Sequence, residues 1–358
     1  MTSRRTFLKT LAATGVAPSL TWADARAPSF LSAAMMPDGS FGLIGLDGLA
    51  APLFTIPLPT RGHAACVHPV RPEAIAFARR PGTFAVVIDC ARGETIATLE
   101  SPPERHFYGH GAFSRSGDLL FTTENAYEIG EGRIGIWYAS AGYRRVGEIR
   151  SGGIGPHEVR RLPGSDILLV ANGGIDTHPE TGREKLNLPT MRSNLSYVTQ
   201  DGNVLDQVEL PTEQRLNSIR HIDAGPDGIV AFACQWQGAL SETPPLQGVH
   251  RMGEPITLLP VPGDLGPLAG YAGSVAVTRT GAGIGVTYPR ANTYIIWPDG
   301  AGSEGTAHRL TDACGISASK HGFVVTSGEG RVIEQTGAST NELRQMPCSW
   351  DNHLIPVA

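Results

Sequence analysis

The chain has 358 residues, of which 41% are hydrophobic and only 18% are charged, and its formal net charge is −5. The length and the hydrophobic fraction provide enough apolar side chains for a sizeable core. The mildly negative net charge excludes a general electrostatic attraction to nucleic acid. Glycine (44 residues) and proline (27 residues) are frequent, which is typical of short strands joined by tight turns. The composition therefore favours an all-β fold.

Residues 1–25 show the features of an export signal in their usual order. Residues 3–9 read SRRTFLK, which resembles a twin-arginine signal, and a mildly apolar run covers residues 10–20. Residues 23–25 then form an A-x-A cleavage site. The apolar run is too short and too weak for a permanent membrane span, and the sequence holds no other transmembrane candidate. We expect a signal peptide at 1–25, a mature domain at 26–358, and export of the folded protein to the periplasm by the twin-arginine route.

The first unit of the mature chain has only three predicted strands, at residues 30–36, 40–46 and 53–58. The next unit, residues 63–99, has four short strands separated by tight turns. Units of this kind, repeated about every 40 to 50 residues, are typical of the blades of a β-propeller. Five further units continue the pattern towards the C-terminus.

The C-terminal segment 352–357 is a predicted strand with no unit of its own. Placed as the inner strand of the first unit, it completes seven four-stranded blades and removes an open sheet edge. The sequence therefore predicts an all-β, seven-bladed propeller with four antiparallel strands per blade, closed by the C-terminal strand in blade one.

A histidine recurs at the point where successive units enter their first strand. His63 and His110 are 47 residues apart, and so are His110 and His157. In order of blades, the seven equivalent positions are His353, His63, His110, His157, His221, Ser274 and Gly315. Because the first strand of each propeller blade lines the central channel, five of the 11 histidines are predicted to form a ring at the channel mouth.

Converging neutral imidazoles are suitable ligands for copper, zinc, iron or nickel. The histidine ring therefore predicts a transition-metal site, with three or four ligands to one ion or with two ions. The alternative is that each histidine caps a turn or hydrogen-bonds a neighbouring blade. That explanation is reasonable for one histidine but weak for five at one repeat position.

Other side chains are predicted near the same face. Glu158 follows a ring histidine and is a candidate ligand, or a residue that orients one, although a surface salt bridge is an equal alternative. Arg61 and Arg220 precede ring histidines and are candidates for binding an anion. Asn172 precedes an insertion at roughly residues 173–193, which is either a lid over the site or an ornamental surface loop.

The five cysteines do not form a recognisable metal or haem motif, since neither CxxC nor CxxCH occurs. An odd number leaves at least one cysteine unpaired in a monomer. Cys314 with Cys348 is the only disulfide candidate, and the others are expected to be small buried hydrophobic residues.

Several segments carry a resemblance to a known family. They are SRRTFLK at 3–9, Gly109-His110-Gly111, Gly155-Pro156-His157-Glu158, Asn172-Gly173-Gly174-Ile175 and the stretch 185–195. Over essentially the whole mature chain the sequence resembles a family of twin-arginine-exported bacterial propellers that share a domain of unknown function. That family is similar in fold to the seven-bladed β-chain type of quinoprotein amine dehydrogenase. Its members are encoded beside imelysin-like and di-haem proteins, so the resemblance implies periplasmic iron handling with iron-uptake proteins as partners. It supplies no catalytic residues.

Three functions are compatible with these features. The first is a periplasmic metal-binding propeller that handles iron or copper. The second is a metal-dependent periplasmic oxidoreductase with its substrate beneath the insertion, and the third is a metal-free scaffold for protein interactions. The motifs G-x-S-x-G and H-E-x-x-H and the EF-hand loop are absent, as is a basic, aromatic-rich stripe for nucleic acid. Whether the protein is an enzyme stays open at this point.

Overall fold

The computed structural model describes residues 20–79, 82–182, 184–263, 265 and 267–357. In this part of the chain the regular structure consists of 28 strands and six 3₁₀ helices of three residues each. In chain order the strands are β1 (Phe30–Met35), β2 (Phe41–Leu46), β3 (Pro52–Leu58), β4 (Gly62–Val67), β5 (Glu73–Ala78), β6 (Phe84–Asp89), β7 (Glu94–Glu100), β8 (Arg105–Phe113), β9 (Leu119–Ala126), β10 (Glu131–Tyr138), β11 (Arg144–Arg150), β12 (Pro156–Arg161), β13 (Leu168–Asn172), β14 (Asn194–Val198), β15 (Val204–Glu209), β16 (Asn217–Ala224), β17 (Val230–Trp236), β18 (Gln247–His250), β19 (Thr257–Leu258), β20 (Ser274–Val277), β21 (Ile284–Tyr288), β22 (Thr293–Trp297), β23 (Thr306–Arg309), β24 (Ala313–Ala318), β25 (Phe323–Ser327), β26 (Arg331–Thr336), β27 (Ser339–Gln345) and β28 (Ser349–Pro356). The 3₁₀ helices are at Ala139–Ala141, Pro179–Thr181, Leu188–Thr190, Thr212–Gln214, Pro289–Ala291 and Gly300–Gly302.

The strands form seven antiparallel four-stranded sheets, which confirms the predicted seven-bladed propeller. Blade one is β28-β1-β2-β3, and each later blade takes the next four strands of the chain, from β4–β7 in blade two to β24–β27 in blade seven. The first strand of every sheet contacts the first strands of the two neighbouring sheets, so the inner strands form a closed ring. No helix among the described residues is long and apolar enough to cross a membrane.

The C-terminal strand closes this ring as predicted. β28 pairs with β1 from the Phe30–Pro356 pair to the Met35–Ser349 pair. The hydroxyl of Ser32 also donates a hydrogen bond to the carbonyl of His353 at 2.8 Å. Because the first and last strands share one sheet, the edge that an open seven-blade array would expose is paired.

Each blade buries its apolar faces against its neighbours. Leu169, Ile222 and Val286 come from three successive blades and belong to one buried cluster. The outermost strands are mostly exposed, as in β7. A single blade could not bury both of its faces, so the ring of blades holds the inner strands, and the side chains they carry, in fixed positions.

Most of the predicted signal peptide, residues 1–19, lies outside the described residues, so its processing stays a prediction. The described part of it packs on the propeller. Trp22 donates its indole N–H to the carbonyl of His68 at 2.9 Å, and Ala25 is buried in an apolar cluster with residues of blades one and two. Cleavage after Ala25 would remove both contacts.

All five cysteines are free, so the predicted pairing of Cys314 with Cys348 is wrong in this structure. The Cys314 sulfur lies 3.0 Å from the carbonyl of Asp312, the residue directly before its own strand β24. Cys348 instead packs against apolar residues of blades one and seven. Burial raises the pKa of both thiols, and that of Cys348 reaches about 11.

Candidate metal centre

The inner strands are interrupted by β-bulges at the positions where the histidines occur. The register shifts in β4, β8, β12, β16, β24 and β28, whereas β20, which carries Ser274, is regular. His63, His110, His157 and His353 lie within their bulges, and His221 directly follows the unpaired residue of its own. A bulge re-aims the side chains beside it, which explains how residues of five separate strands can point to one place.

Gly109 shows why a bulge of this kind needs a particular sequence. Its φ of +99° is in the region that favours glycine. A Cβ atom at this position would lie 2.5 Å from Cδ2 of His63. Glycine therefore permits both the backbone conformation beside His110 and the close approach of the His63 ring.

The five imidazoles form a compact cluster with His110 at its centre. The His110 ring centroid is 4.7 Å from that of His353, 4.9 Å from His63, 5.0 Å from His157 and 5.9 Å from His221. His221 and His353 belong to blades five and one, yet their centroids are only 4.9 Å apart. The predicted ring at the mouth is thus a packed group between the inner strands, and we call it the histidine cluster.

The potential ligand atoms of the histidine cluster form two overlapping sets of three. His63, His110 and His157 make one set, and His110, His221 and His353 make the other, each with all ligand atoms within 4.8 Å of one another. The Nε2 atoms of His63 and His110 are 3.2 Å apart. Two imidazole nitrogens bound tetrahedrally to one ion at about 2.0–2.1 Å would lie roughly 3.3 Å apart. The His63–His110 pair of the first set is therefore close to the spacing that a metal ion needs.

Hydrogen bonding leaves several of these nitrogens available. The Nδ1 atom of His157 is 3.1 Å from the carbonyl of Arg220; as a donor to it, this nitrogen leaves Nε2 with a free lone pair. Nδ1 of His63 and Nε2 of His353 are buried and have no hydrogen-bond partner among the described residues. A buried polar atom without a partner is costly, so Nε2 of His353 and one of the two ring nitrogens of His63 fit a role as metal ligands.

Burial also keeps four imidazoles of the cluster, those of His63, His110, His157 and His353, uncharged. It lowers the pKa of His63 to about 4, and it lowers the pKa values of His110, His157 and His353 well below the usual value of 6.5. Neighbouring imidazoles add to this effect because protonating one disfavours protonating the next. At neutral pH these four rings are therefore neutral and can donate lone pairs to a metal ion.

Glu158 lies beneath the cluster as a buried carboxylate. Its oxygens are 3.4 Å from Nδ1 of His221 and 3.7 Å from Nδ1 of His110, and it accepts a 2.8 Å hydrogen bond from Nε of Arg160. Burial alone would raise its pKa, but Arg160 and His221 outweigh burial and lower the pKa to about 2. The alternative of a surface salt bridge is therefore wrong, because the carboxylate is 3% exposed and faces two imidazoles.

Two cavities flank the histidine cluster. The larger, of about 550 Å³, opens at one face of the propeller and reaches His63, His157 and His221. We call it the mouth cavity. The smaller, of about 210 Å³, is lined by His110 and Glu158 among others. The cluster thus lies between the two cavities and is accessible from both.

Comparisons with known proteins identify the family. Residues 56–357 match the model of the family described as "Protein of unknown function (DUF1513)". The chain belongs to this family. No curated protein matches it. Among solved structures, the hydrazine synthase of Kuenenia stuttgartiensis is similar with a TM-score of 0.61 and 13% identity, covering 93% of this chain and 98% of the other. At that identity the likeness supports the propeller fold alone.

In this DUF1513 protein, the structure separates the remaining predicted residues into two groups. Arg61 and Arg220 line the mouth cavity, and Nε of Arg61 is paired with Asp351 at 2.9 Å. Asn172 lines neither cavity. Its fully buried amide donates hydrogen bonds to the carbonyl of Ser151 and to Asn194, which ties β13 to β14 and to the segment that joins blades three and four.

The insertion between β13 and β14 forms part of the wall of the mouth cavity. Ile175, Thr177 and Lys185 line the cavity directly. The Asn187 side chain braces the segment, since its oxygen accepts from the amide of Asp176 and its amide donates to the carbonyl of Gly174. The described residues of the insertion therefore contribute to the wall of the mouth cavity.

Sequence reasoning missed three charged residues of the site. Arg79 and Arg290 line the mouth cavity, and Arg160 holds Glu158. Arg79 and Arg290 follow closely on the second strands of their blades, β5 and β21. Because the end of a second strand lies beside the start of the first strand in an antiparallel sheet, the repeat pattern contained the signal that could have located them.

Proposed function

We propose that this DUF1513 protein is a periplasmic metal-binding propeller that carries iron or copper as cargo on its histidine cluster. The observation that carries the proposal is the convergence of five imidazoles whose ligand atoms form two compact sets of three. Nitrogen ligands of this kind suit copper and iron, and Cu²⁺ binds most tightly among the divalent first-row ions. The family resemblance adds iron handling and periplasmic iron-uptake partners to the proposal.

Individual residues have distinct roles in this proposal. His110 belongs to both sets of three, so it is the ligand whose loss affects every arrangement. Glu158 contributes negative charge close to His110 and His221, which favours a bound cation and orients the two rings. If the protein is exported in the folded state, the metal can be bound before it reaches the periplasm.

Equilibrium dialysis of the metal-free protein against Cu²⁺, and against Fe²⁺ under anaerobic conditions, tests this function. His110→Ala is expected to weaken binding at least a hundredfold. His250→Ala is the matched control, because His250 is also buried but bonds to Tyr197 and to the carbonyl of Glu254 outside the cluster. Wild-type affinity in the His110 variant would reject the proposal.

A second candidate is a metal-dependent oxidoreductase. The observation in its favour is that the mouth cavity, of about 550 Å³, reaches His63, His157 and His221 and could hold a small substrate beside the ion. Turnover of a reduced metal ion or a small organic reductant by the loaded protein would support it. A loaded protein that turns over neither would reject it in favour of metal carriage.

A further inference from the structure

The wall of the mouth cavity carries an unusual concentration of positive charge. Its cationic side chains come from blades two, four, five and six, and they are Arg61, Arg79, Lys185, Arg220 and Arg290. No aspartate or glutamate is among the described residues that line this cavity. The protein as a whole has a net charge of −5, so the mouth has the opposite sign to the rest of the molecule.

The cations differ in how they are held. Arg61 is paired with the buried Asp351, so its charge is largely compensated. Among the described residues no carboxylate forms an ion pair with Arg79, Lys185 or Arg290. These three side chains are exposed at the mouth and available to a ligand.

Arg290 is also held in a definite place. Its guanidinium lies over the ring of Tyr271, 4.4 Å from the centroid. The Tyr271 hydroxyl in turn accepts a hydrogen bond from the side-chain amide of Asn352 in β28 at 3.0 Å. A stacked guanidinium keeps its planar edge free for a carboxylate, which it can bind through two parallel hydrogen bonds.

The positive charge of the mouth cavity disfavours the simplest route by which a metal ion could reach the histidine cluster, namely entry as a free cation. A free metal cation that entered through the mouth would be repelled by the uncompensated side chains of Arg79, Lys185 and Arg290. An anionic complex of the metal would instead be attracted. Carboxylates satisfy both requirements, because they chelate iron and copper and also pair with arginine.

We propose that the mouth cavity binds a small polycarboxylate anion, which brings the metal to the histidine cluster as an anionic chelate. The inference deepens the proposed function and rests on it for the delivery step. The anion site itself rests only on the charge and geometry of the mouth. Arg79, Lys185 and Arg290 hold the carboxylates, and His63, His157 and His221 face the metal from below.

Isothermal titration of the metal-free protein with citrate at low ionic strength tests the anion site, because screening is weak there. Wild type is expected to bind one citrate. An Arg79→Gln/Arg290→Gln double variant is expected to bind it at least tenfold more weakly. Arg144→Gln/Arg344→Gln is the matched control, since it removes the same charge from exposed positions on the outer strands β11 and β27.

Three results would overturn the proposal: no citrate binding, equal binding by the Arg79/Arg290 variant, or binding of inorganic phosphate in preference to citrate. Uptake of Cu²⁺ from a solution without a chelator distinguishes failure of the proposed anion site from failure of the proposed metal site. The Arg79/Arg290 variant is expected to keep the wild-type number of Cu²⁺ ions, while its uptake from copper citrate is at least tenfold weaker.

Discussion

His68 shows how a single buried histidine outside the cluster depends on staying neutral. Its Nδ1 accepts hydrogen bonds from the amides of Val70 and Arg71 at 3.0 and 2.9 Å. Burial, with Arg71 nearby, lowers its pKa to about 4. Protonation would place a hydrogen on an atom that must accept, so the native state binds this proton less readily than the unfolded state does.

We therefore predict that His68 makes the protein less stable in acid. Its contribution is complete above the unfolded pKa of about 6.5 and is lost as the pH falls towards about 4, by up to roughly 3 kcal/mol. His68→Asn keeps an acceptor in place without the titration. Urea unfolding of the wild type and of the His68→Asn variant at pH 7 and pH 5 measures the free energy of unfolding. An equal loss of stability from pH 7 to pH 5 in the two proteins would disprove the prediction.

Glu158 tests whether a carboxylate beneath the histidine cluster tunes its affinity. Glu158→Gln is expected to reduce the affinity for Cu²⁺ by about 10- to 100-fold, because a group that orients metal-binding histidines has effects of this size. Glu124→Gln is the control, since Glu124 is also fully buried and paired with Arg145, at 2.6 Å, but lines neither cavity. Both variants break a buried pair and should lose comparable stability, about 3–5 kcal/mol. Similar Cu²⁺ affinities for the two variants would exclude a specific role for Glu158.

At the level of the elements, the bulges of the inner strands position the cluster. Gly109→Ala tests this in β8. It is expected to cost about 1–2 kcal/mol for its left-handed conformation and to displace His63, so that metal affinity falls at least tenfold. Gly93→Ala carries a similar strain, with φ of +72°, but its Cβ would contact nothing within 4 Å. Dialysis against Cu²⁺ should separate the two variants, and equal affinities would show that the bulge does not position His63.

The segment before β1 gives a second prediction for an element. A chain that begins at Arg26 lacks the buried contacts of Trp22 and Ala25, which a chain that begins at Leu20 retains. The shorter chain should have a free energy of unfolding lower by about 2 kcal/mol. Denaturant unfolding of both chains measures the difference. Identical midpoints and slopes would mean that the segment only rests on the surface.

At the scale of the whole molecule, repetition made the fold predictable. Strand spacing, turn residues and the unpaired strand at residues 352–357 were enough to place seven blades and their closure. The 47-residue spacing from His63 to His110 and on to His157 was enough to place their side chains together. Local sequence does not show how deeply a side chain is buried. The burial of Glu158 and the central position of His110 were therefore visible only in the packed structure.

The electrostatic contrast across the molecule could not be predicted from composition. Arg79, Lys185 and Arg290 are far apart in sequence and line one cavity only because the ring brings blades two, four and six to one opening. Their positive charge is hidden in a net charge of −5. Closure of the propeller therefore creates both the histidine cluster and the positively charged wall of the mouth cavity.

The most direct test of metal carriage is elemental analysis of the protein expressed with residues 1–25 in place, beside a His63→Ala/His110→Ala/His157→Ala variant. The account predicts stoichiometric iron or copper in the first protein and none in the second. Absence of metal from both, even after incubation with several divalent ions, would contradict it and would favour an interaction scaffold whose histidines are structural.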